Sequence, residues 1–234
     1  MNAVRTPGAG RLIVFEGPEG VGKSTQIGLL LEGLAAAGVP HVALREPGGT
    51  ALGDEIRRLL LDPARDDVTA RAEALLFMAS RAQLVEREIR PALDRGEVVV
   101  LDRFFLSTYA YQVGGRGLPE EEIRQANRFA TGGLLPELTL LLELPEGAGL
   151  ARADARGGRD RMERSGDEFH RRVAAAFSRF ASPAWQAAHG ECGSIERIDA
   201  GGSERAVLGR VVEALVRRWP ETFEPLSRSH RSRY

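Results

Sequence analysis

Apolar and polar positions fall in blocks along this chain. Residues 11–16 (RLIVFE) form a short, almost continuous apolar run that ends in glycines. A helical period follows over 24–37 and stops at Gly38, a residue suited to the left-handed position that closes a helix. Further strand-like runs lie at 41–45 (HVALR), 97–101 (EVVVL), 138–144 (LTLLLEL) and 194–198. Between them the spacing predicts helices over 51–61, 70–93, 104–112, from Pro119 onward, 148–156, 167–188 and 203–219. Thr69 is placed as an N-cap and Gly96 as a helix stop. Apolar strands that alternate with helices predict an α/β fold of three layers, a five-stranded parallel sheet flanked by helices. Ligands of such sheets bind beyond the carboxyl ends of the strands, so the residues after Glu16, Leu44 and Leu101 matter most.

Composition narrows this picture without changing it. The 234 residues suit one domain, placed at 11–219, with residues 1–10 and 220–234 read as flexible ends. A net charge of −1 offers no reason to expect nucleic acid or an anionic membrane as partner, and no apolar run approaches the ~20 residues that span a bilayer. The single cysteine, Cys192, excludes an internal disulfide and fits a reducing compartment, so a cytoplasmic protein is expected. The four histidines show no metal-ligand spacing. Of the 32 basic residues, 31 are arginines and one is Lys23.

That lysine stands in the chain's most specific motif. After the first strand comes Gly17-Pro18-Glu19-Gly20-Val21-Gly22-Lys23-Ser24-Thr25, which satisfies G-x4-G-K-[ST]. The glycines let successive backbone N–H groups turn around phosphate oxygens, and the next helix adds its positive end. Lys23 supplies an ammonium for the β- and γ-phosphates, and Ser24 a hydroxyl for Mg²⁺. ATP is thus the expected nucleotide in a P-loop kinase fold. A switch GTPase needs a guanine-reading N-K-x-D segment, which a chain with no other lysine lacks. The second strand delivers Arg45 into Glu46-Pro47-Gly48-Gly49-Thr50, where a guanidinium fork suits an acceptor phosphate. The third delivers Asp102, suited to Mg²⁺ and its waters, and Arg103, suited to charge moving between phosphates.

The words FEGPEGVGKST (15–25), REPGGT (45–50), LLFMASRAQ (75–83), LDRFFLSTYAYQ (101–112) and GGRG (114–117), with the arginine-rich segment near 156–164, resemble bacterial thymidylate kinases in order and spacing over about 11–218. The resemblance implies transfer of phosphate from MgATP to dTMP. It implies that Phe77 stacks on thymine, Arg81 binds its O4, and Thr108 approaches N3 with Gln112 nearby. Tyr111 would lie beneath the 2′ position, Glu19 near the 3′-hydroxyl, and Arg45 and Arg103 on the dTMP phosphate, with Ser107 in the same site. A homodimer is also implied. Alternatives are a kinase for another deoxynucleoside monophosphate and a non-catalytic nucleotide-binding protein.

Residues 152–166 hold many arginines and are expected to form a mobile lid. In the resembled family one arrangement puts a catalytic arginine in the phosphate loop and the other puts basic residues in the lid. Gly20 occupies the loop position here, so Arg156 and Arg161 are expected at the transition state, with Arg159 as a third and Glu163 and Glu168 orienting the lid or capping the next helix. Asp199-Ala200, after the last strand, stands where adenine would be accommodated or where the chain simply turns.

Overall fold

The computed structural model describes residues 10–145, 149 and 160–231, with 227–231 described by backbone alone. Five strands, β1 (Arg11–Glu16), β2 (His41–Arg45), β3 (Val98–Asp102), β4 (Leu138–Glu143) and β5 (Ser194–Asp199), form one parallel sheet in the order β2-β3-β1-β4-β5. Alternate side chains of a strand leave on opposite faces. In β1, Leu12 and Val14 therefore join one apolar cluster, while Ile13 and Phe15 join another on the opposite face. Both faces are covered, which is why the central strands read as unbroken apolar runs. The edge strands β2 and β5 are more exposed and carry polar residues, as an unprotected edge requires.

On one face α1 (Lys23–Ala36) packs beside a C-terminal helix pair, Glu204–Arg218 and Pro220–Arg231. Gly38 closes α1 as expected. At φ 66° it donates to Ala35 O, while the Val39 N–H reaches back to Leu34 O. The other face carries α3 (Ala70–Leu84), a short helix Phe105–Thr108, and Asp167–Phe180. Helix α2 (Ala51–Leu61) is capped by the Thr50 hydroxyl, which accepts from Gly53 N at 3.0 Å.

Several expectations need correction. The stretch 220–231 is not a loose tail but a helix, anchored by Phe223 and Leu226, which are almost wholly buried. Burial of one phenylalanine contributes about 2 kcal/mol, enough to fasten a short polar helix whose sequence advertises few apolar residues. The helix predicted over 70–93 passes through a π segment at Val85–Ile89, just before Pro91, which has no N–H to offer the Arg87 carbonyl. The segment after Thr108 likewise widens into π geometry over Tyr109–Gly115. Helix 167–188 breaks at Ser182-Pro183, where the Ser182 hydroxyl caps a new helix, Pro183–Ala188. Thr69 holds the N-cap position without a side-chain bond. The predicted helix 148–156 and most of the lid lie outside the described residues.

Candidate active site

Because β2, β3 and β1 are parallel neighbours, Arg45, Asp102 and Glu16 end at the same edge of the sheet. A cavity of about 260 Å³ opens there. Its wall runs from the phosphate loop (Glu19, Gly20, Gly22, Lys23, Ser24, Thr25) past Asp102 and Arg103 to Phe77, Arg81, Thr108, Tyr111 and Gln112. The sequence motifs from three strand ends and one helix thus meet in a single space.

The loop conformation depends on its glycines. Gly17 sits at φ 137°, and a Cβ there would come within 2.4 Å of the Leu142 carbonyl oxygen of β4. Gly22, at φ 93°, turns the chain into α1. Lys23 is buried, and its ammonium donates to the carbonyls of Gly17 at 2.9 Å and Pro18 at 2.8 Å. Burial, and then the nearby Arg103 guanidinium, lower the Lys23 ammonium to about 7. An arriving polyphosphate would oppose both effects by supplying negative charge beside the ammonium.

Glu16, which sequence reasoning passed over, is fully buried. Its carboxylate accepts from Phe104 N at 2.7 Å, Ser107 N at 3.0 Å and the Ser107 hydroxyl at 2.7 Å, capping the helix that begins there. The only sequence signal was an acidic residue closing an apolar strand. Arg103, just before that helix, adopts φ 70°, a conformation that L side chains rarely hold. Its guanidinium donates to Ser107 Oγ at 2.9 Å and lies 5.4 Å from the centre of the Tyr111 ring. The Tyr111 hydroxyl in turn donates to Glu19 Oε1 at 2.9 Å.

Asp102 Oδ1 is buried and has no hydrogen-bond partner among the described residues. With the Ser24 hydroxyl across the same cavity, it makes a set of hard oxygen donors that fits Mg²⁺. No group of three or more His, Cys, Asp or Glu converges among the described residues, so such an ion would take most of its ligands from phosphate and water.

At the far end Phe77 is half-buried on the cavity wall rather than sunk in the core. Arg81 is 2% exposed, one of the largest fully enclosed side chains. It donates to Glu46 Oε2 from Nε at 2.8 Å and from NH2 at 2.5 Å, to Phe104 O at 2.9 Å and to Asn127 Oδ1. Burial, helped by the nearby Glu16 carboxylate, holds the Glu46 carboxyl above the ordinary range against the opposing charge and hydrogen bonds of Arg81. Glu46 precedes a cis peptide bond to Pro47.

Other expectations are redistributed. Arg45 is exposed, lies 3.6 Å from Asp54 and is absent from the cavity wall. Arg57, which had not been singled out, lines the wall instead and donates to Pro47 O at 2.9 Å. No sequence signal set it apart from Arg58 beside it on α2. Pro18 and Val21 belong to the loop but do not line the cavity. Arg161 is likewise absent from the wall. It donates to Leu60 O at 2.7 Å and to Glu73 Oε2 at 2.8 Å, a buried carboxylate that competes for its charge more strongly than open solvent would. Arg156 lies outside the described residues. Glu163 accepts from Asp160 N at 3.0 Å and Glu168 pairs with Arg172, so both order the chain around the lid base. Asp199 caps its own turn, accepting from Gly201 N at 2.8 Å.

Comparison with known proteins agrees with this geometry. The thymidylate kinase family pattern matches residues 15–189. A thymidylate kinase of a Synechococcus strain is 50% identical over 208 residues, 89% of this chain and 95% of its own length. One from Ectopseudomonas mendocina is 52% identical over 168 residues, covering 72% and 80% of the two chains. One from Rhizorhabdus wittichii is 46% identical over 209 residues, covering 88% and 97%.

Proposed function

The chain belongs to the thymidylate kinase family, and on that premise we propose that it transfers the γ-phosphoryl group of MgATP to the phosphate of dTMP, forming dTDP and ADP. The observation that carries this reading is the continuous cavity that joins the phosphate loop to the wall of Phe77, Arg81, Thr108 and Gln112. A dTMP phosphate oxygen attacks the γ-phosphorus in line, the bond from that phosphorus to the β–γ bridging oxygen breaks, and ADP leaves. No covalent intermediate with the protein is required, so the residues position and neutralise charge.

Lys23 leaves the Gly17 and Pro18 carbonyls for the β- and γ-oxygens, while the loop amides hold the rest of the chain of phosphates. Arg103, held by Ser107 at the mouth of the loop, and Arg57 face the acceptor phosphate. Mg²⁺, held by Ser24 and Asp102 with phosphate oxygens and water, would screen the charge between the two nucleotides. Tyr111 and Glu19, joined by their hydrogen bond, form the floor under the sugar and disfavour a 2′-hydroxyl. Lid charge comes from Arg156, with Arg161 assigned to fastening the lid base through Glu73.

Two further readings accompany this. Phe129 and Leu75 are 91% and 65% exposed on neighbouring helices, a face suited to a second copy of the chain in a homodimer; sedimentation showing a monomer at micromolar concentration would exclude it. No helix among the described residues is long and apolar enough to cross a membrane, and a cytoplasmic location is proposed. The decisive assay couples ADP release to ATP with dTMP, dUMP, dCMP and UMP in turn. Preference for dTMP is expected. Preference for dCMP would move the substrate assignment, and no turnover with any acceptor would favour a nucleotide-binding role.

A further inference from the structure

Glu73 stands one helical turn before Phe77 and two before Arg81, on the same side of α3. It is wholly buried, yet nothing in the reaction calls for a carboxylate there. Three residues from other segments occupy its two oxygens. Gln112 Nε2 donates to Oε1 at 3.0 Å, Arg116 donates to Oε1 at 3.1 Å and Oε2 at 3.0 Å, and Arg161 donates to Oε2 at 2.8 Å. Burial would drive this carboxyl upward. The hydrogen bonds from Arg116 and Gln112, with that of Arg161, outweigh burial and hold it below the ordinary glutamate range.

An ionised carboxylate only accepts hydrogen bonds, so the end of Gln112 that faces it must be the NH₂ group. The amide oxygen is thereby turned away from Glu73, and no donor among the described residues reaches it, although Gln112 lines the cavity. On the same cavity wall Arg81 is a donor only, locked by Glu46 and Asn127. The wall thus offers a fixed donor from Arg81 and a fixed acceptor from Gln112 within one cavity. A pyrimidine with a C4 carbonyl and an N3–H, thymine or uracil, presents the complementary pair. Cytosine presents the reverse, an amino group and a bare ring nitrogen. The Thr108 hydroxyl donates to Phe104 O over only a long 3.5 Å contact, and a hydroxyl that can turn to donate or accept does not fix this distinction.

We propose that Glu73 is a positioning residue for base selection: by fixing the Gln112 amide with its oxygen toward the cavity, it makes the site prefer a 4-keto over a 4-amino pyrimidine nucleotide. The inference rests on the dTMP reading above. The test is the ratio of kcat/KM for dTMP to that for dCMP in the wild type, Gln112→Leu, Glu73→Gln and the double variant. Each single change should lower the ratio about tenfold or more, chiefly through KM for dTMP, with KM for ATP unmoved. The double variant should fall no further than Gln112→Leu, because Glu73 acts through that amide. A folded Glu73→Gln enzyme with the wild-type ratio overturns the proposal. Should that variant not fold, Gln112→Leu decides alone, and an unchanged ratio overturns it equally. Absence of any dTMP turnover by the wild type would instead sink the kinase reading. Calorimetric binding of dTMP against dCMP by the same variants would then still report whether the base is selected in this way.

Discussion

Under the proposed function, the two ends of the cavity recognise their ligands by different means. At the phosphate end, residues 17–25 are consecutive, and the recognition surface is largely backbone shaped by Gly17, Gly20 and Gly22. Lys23 is satisfied by carbonyls of its own loop. At the base end, Phe77 and Arg81 come from one helix, Thr108 and Gln112 from another, and the groups that hold them extend from Glu46 to Arg161. A phosphate is highly charged and nearly symmetric, so a ring of N–H groups suffices. A base is neutral and flat, and its edge can be read only by side chains of fixed orientation, each of which needs a buried partner. Damage at the phosphate end should therefore appear in turnover, and damage at the base end in KM and substrate choice.

The sharpest test of that contrast is Lys23→Met. Turnover should fall about 10²–10³-fold while a thermal melt shows a folded protein, and Lys23→Arg should also lose most activity because a planar fork does not fit the loop as an ammonium does. A folded methionine variant that keeps kcat within a few-fold of wild type would break the comparison. Next in size, Asn127→Ala releases one side of Arg81 without touching the cavity wall itself. We expect KM for dTMP to rise roughly tenfold with KM for ATP unchanged in steady-state assays. A fall in kcat alone would mean that the two ends are not separable. A third effect follows from the lowering of Lys23 to about 7 in the unliganded protein. Above that pH the free enzyme carries neutral Lys23, and a polyphosphate restores the ammonium, so binding takes up a proton. ATP affinity measured by calorimetry should fall as pH rises from 7 to 9, by up to about tenfold per unit, and proton uptake should appear as a dependence of the heat on buffer. Smallest is Arg45→Ala. Its side chain is 59% exposed, so KM for dTMP should rise less than about threefold, and less than in Arg57→Ala. The opposite order would return Arg45 to the acceptor phosphate.

Much of this molecule was legible in one dimension. The central strands β1, β3 and β4 followed from apolar runs, because burial on both faces leaves little room for polar residues, while the edge strands β2 and β5 carried a weaker, mixed pattern. The phosphate loop was legible for a related reason: the function proposed for it is one of contiguous backbone, so its constraint is written in adjacent letters. Breaks at Ser182-Pro183 and before Pro91 were also written locally, although a helical period running through them concealed the signal.

What the sequence determined by itself, then, was the fold class, the phosphate-loop motif and the family resemblance. Tertiary structure alone decided which arginines reach the cavity. Arg45, Arg57 and Arg161 are indistinguishable as letters, yet one is exposed beside Asp54, one lines the wall and one is bound to Glu73. It also decided that Glu16, Glu46, Glu73 and Asn127 are supports of the site, because each is defined by partners far away in the chain. The physical reason is the same in every case. A charged or amide side chain is long and polar enough to serve in water or in the interior, and only the distant groups that surround it determine which.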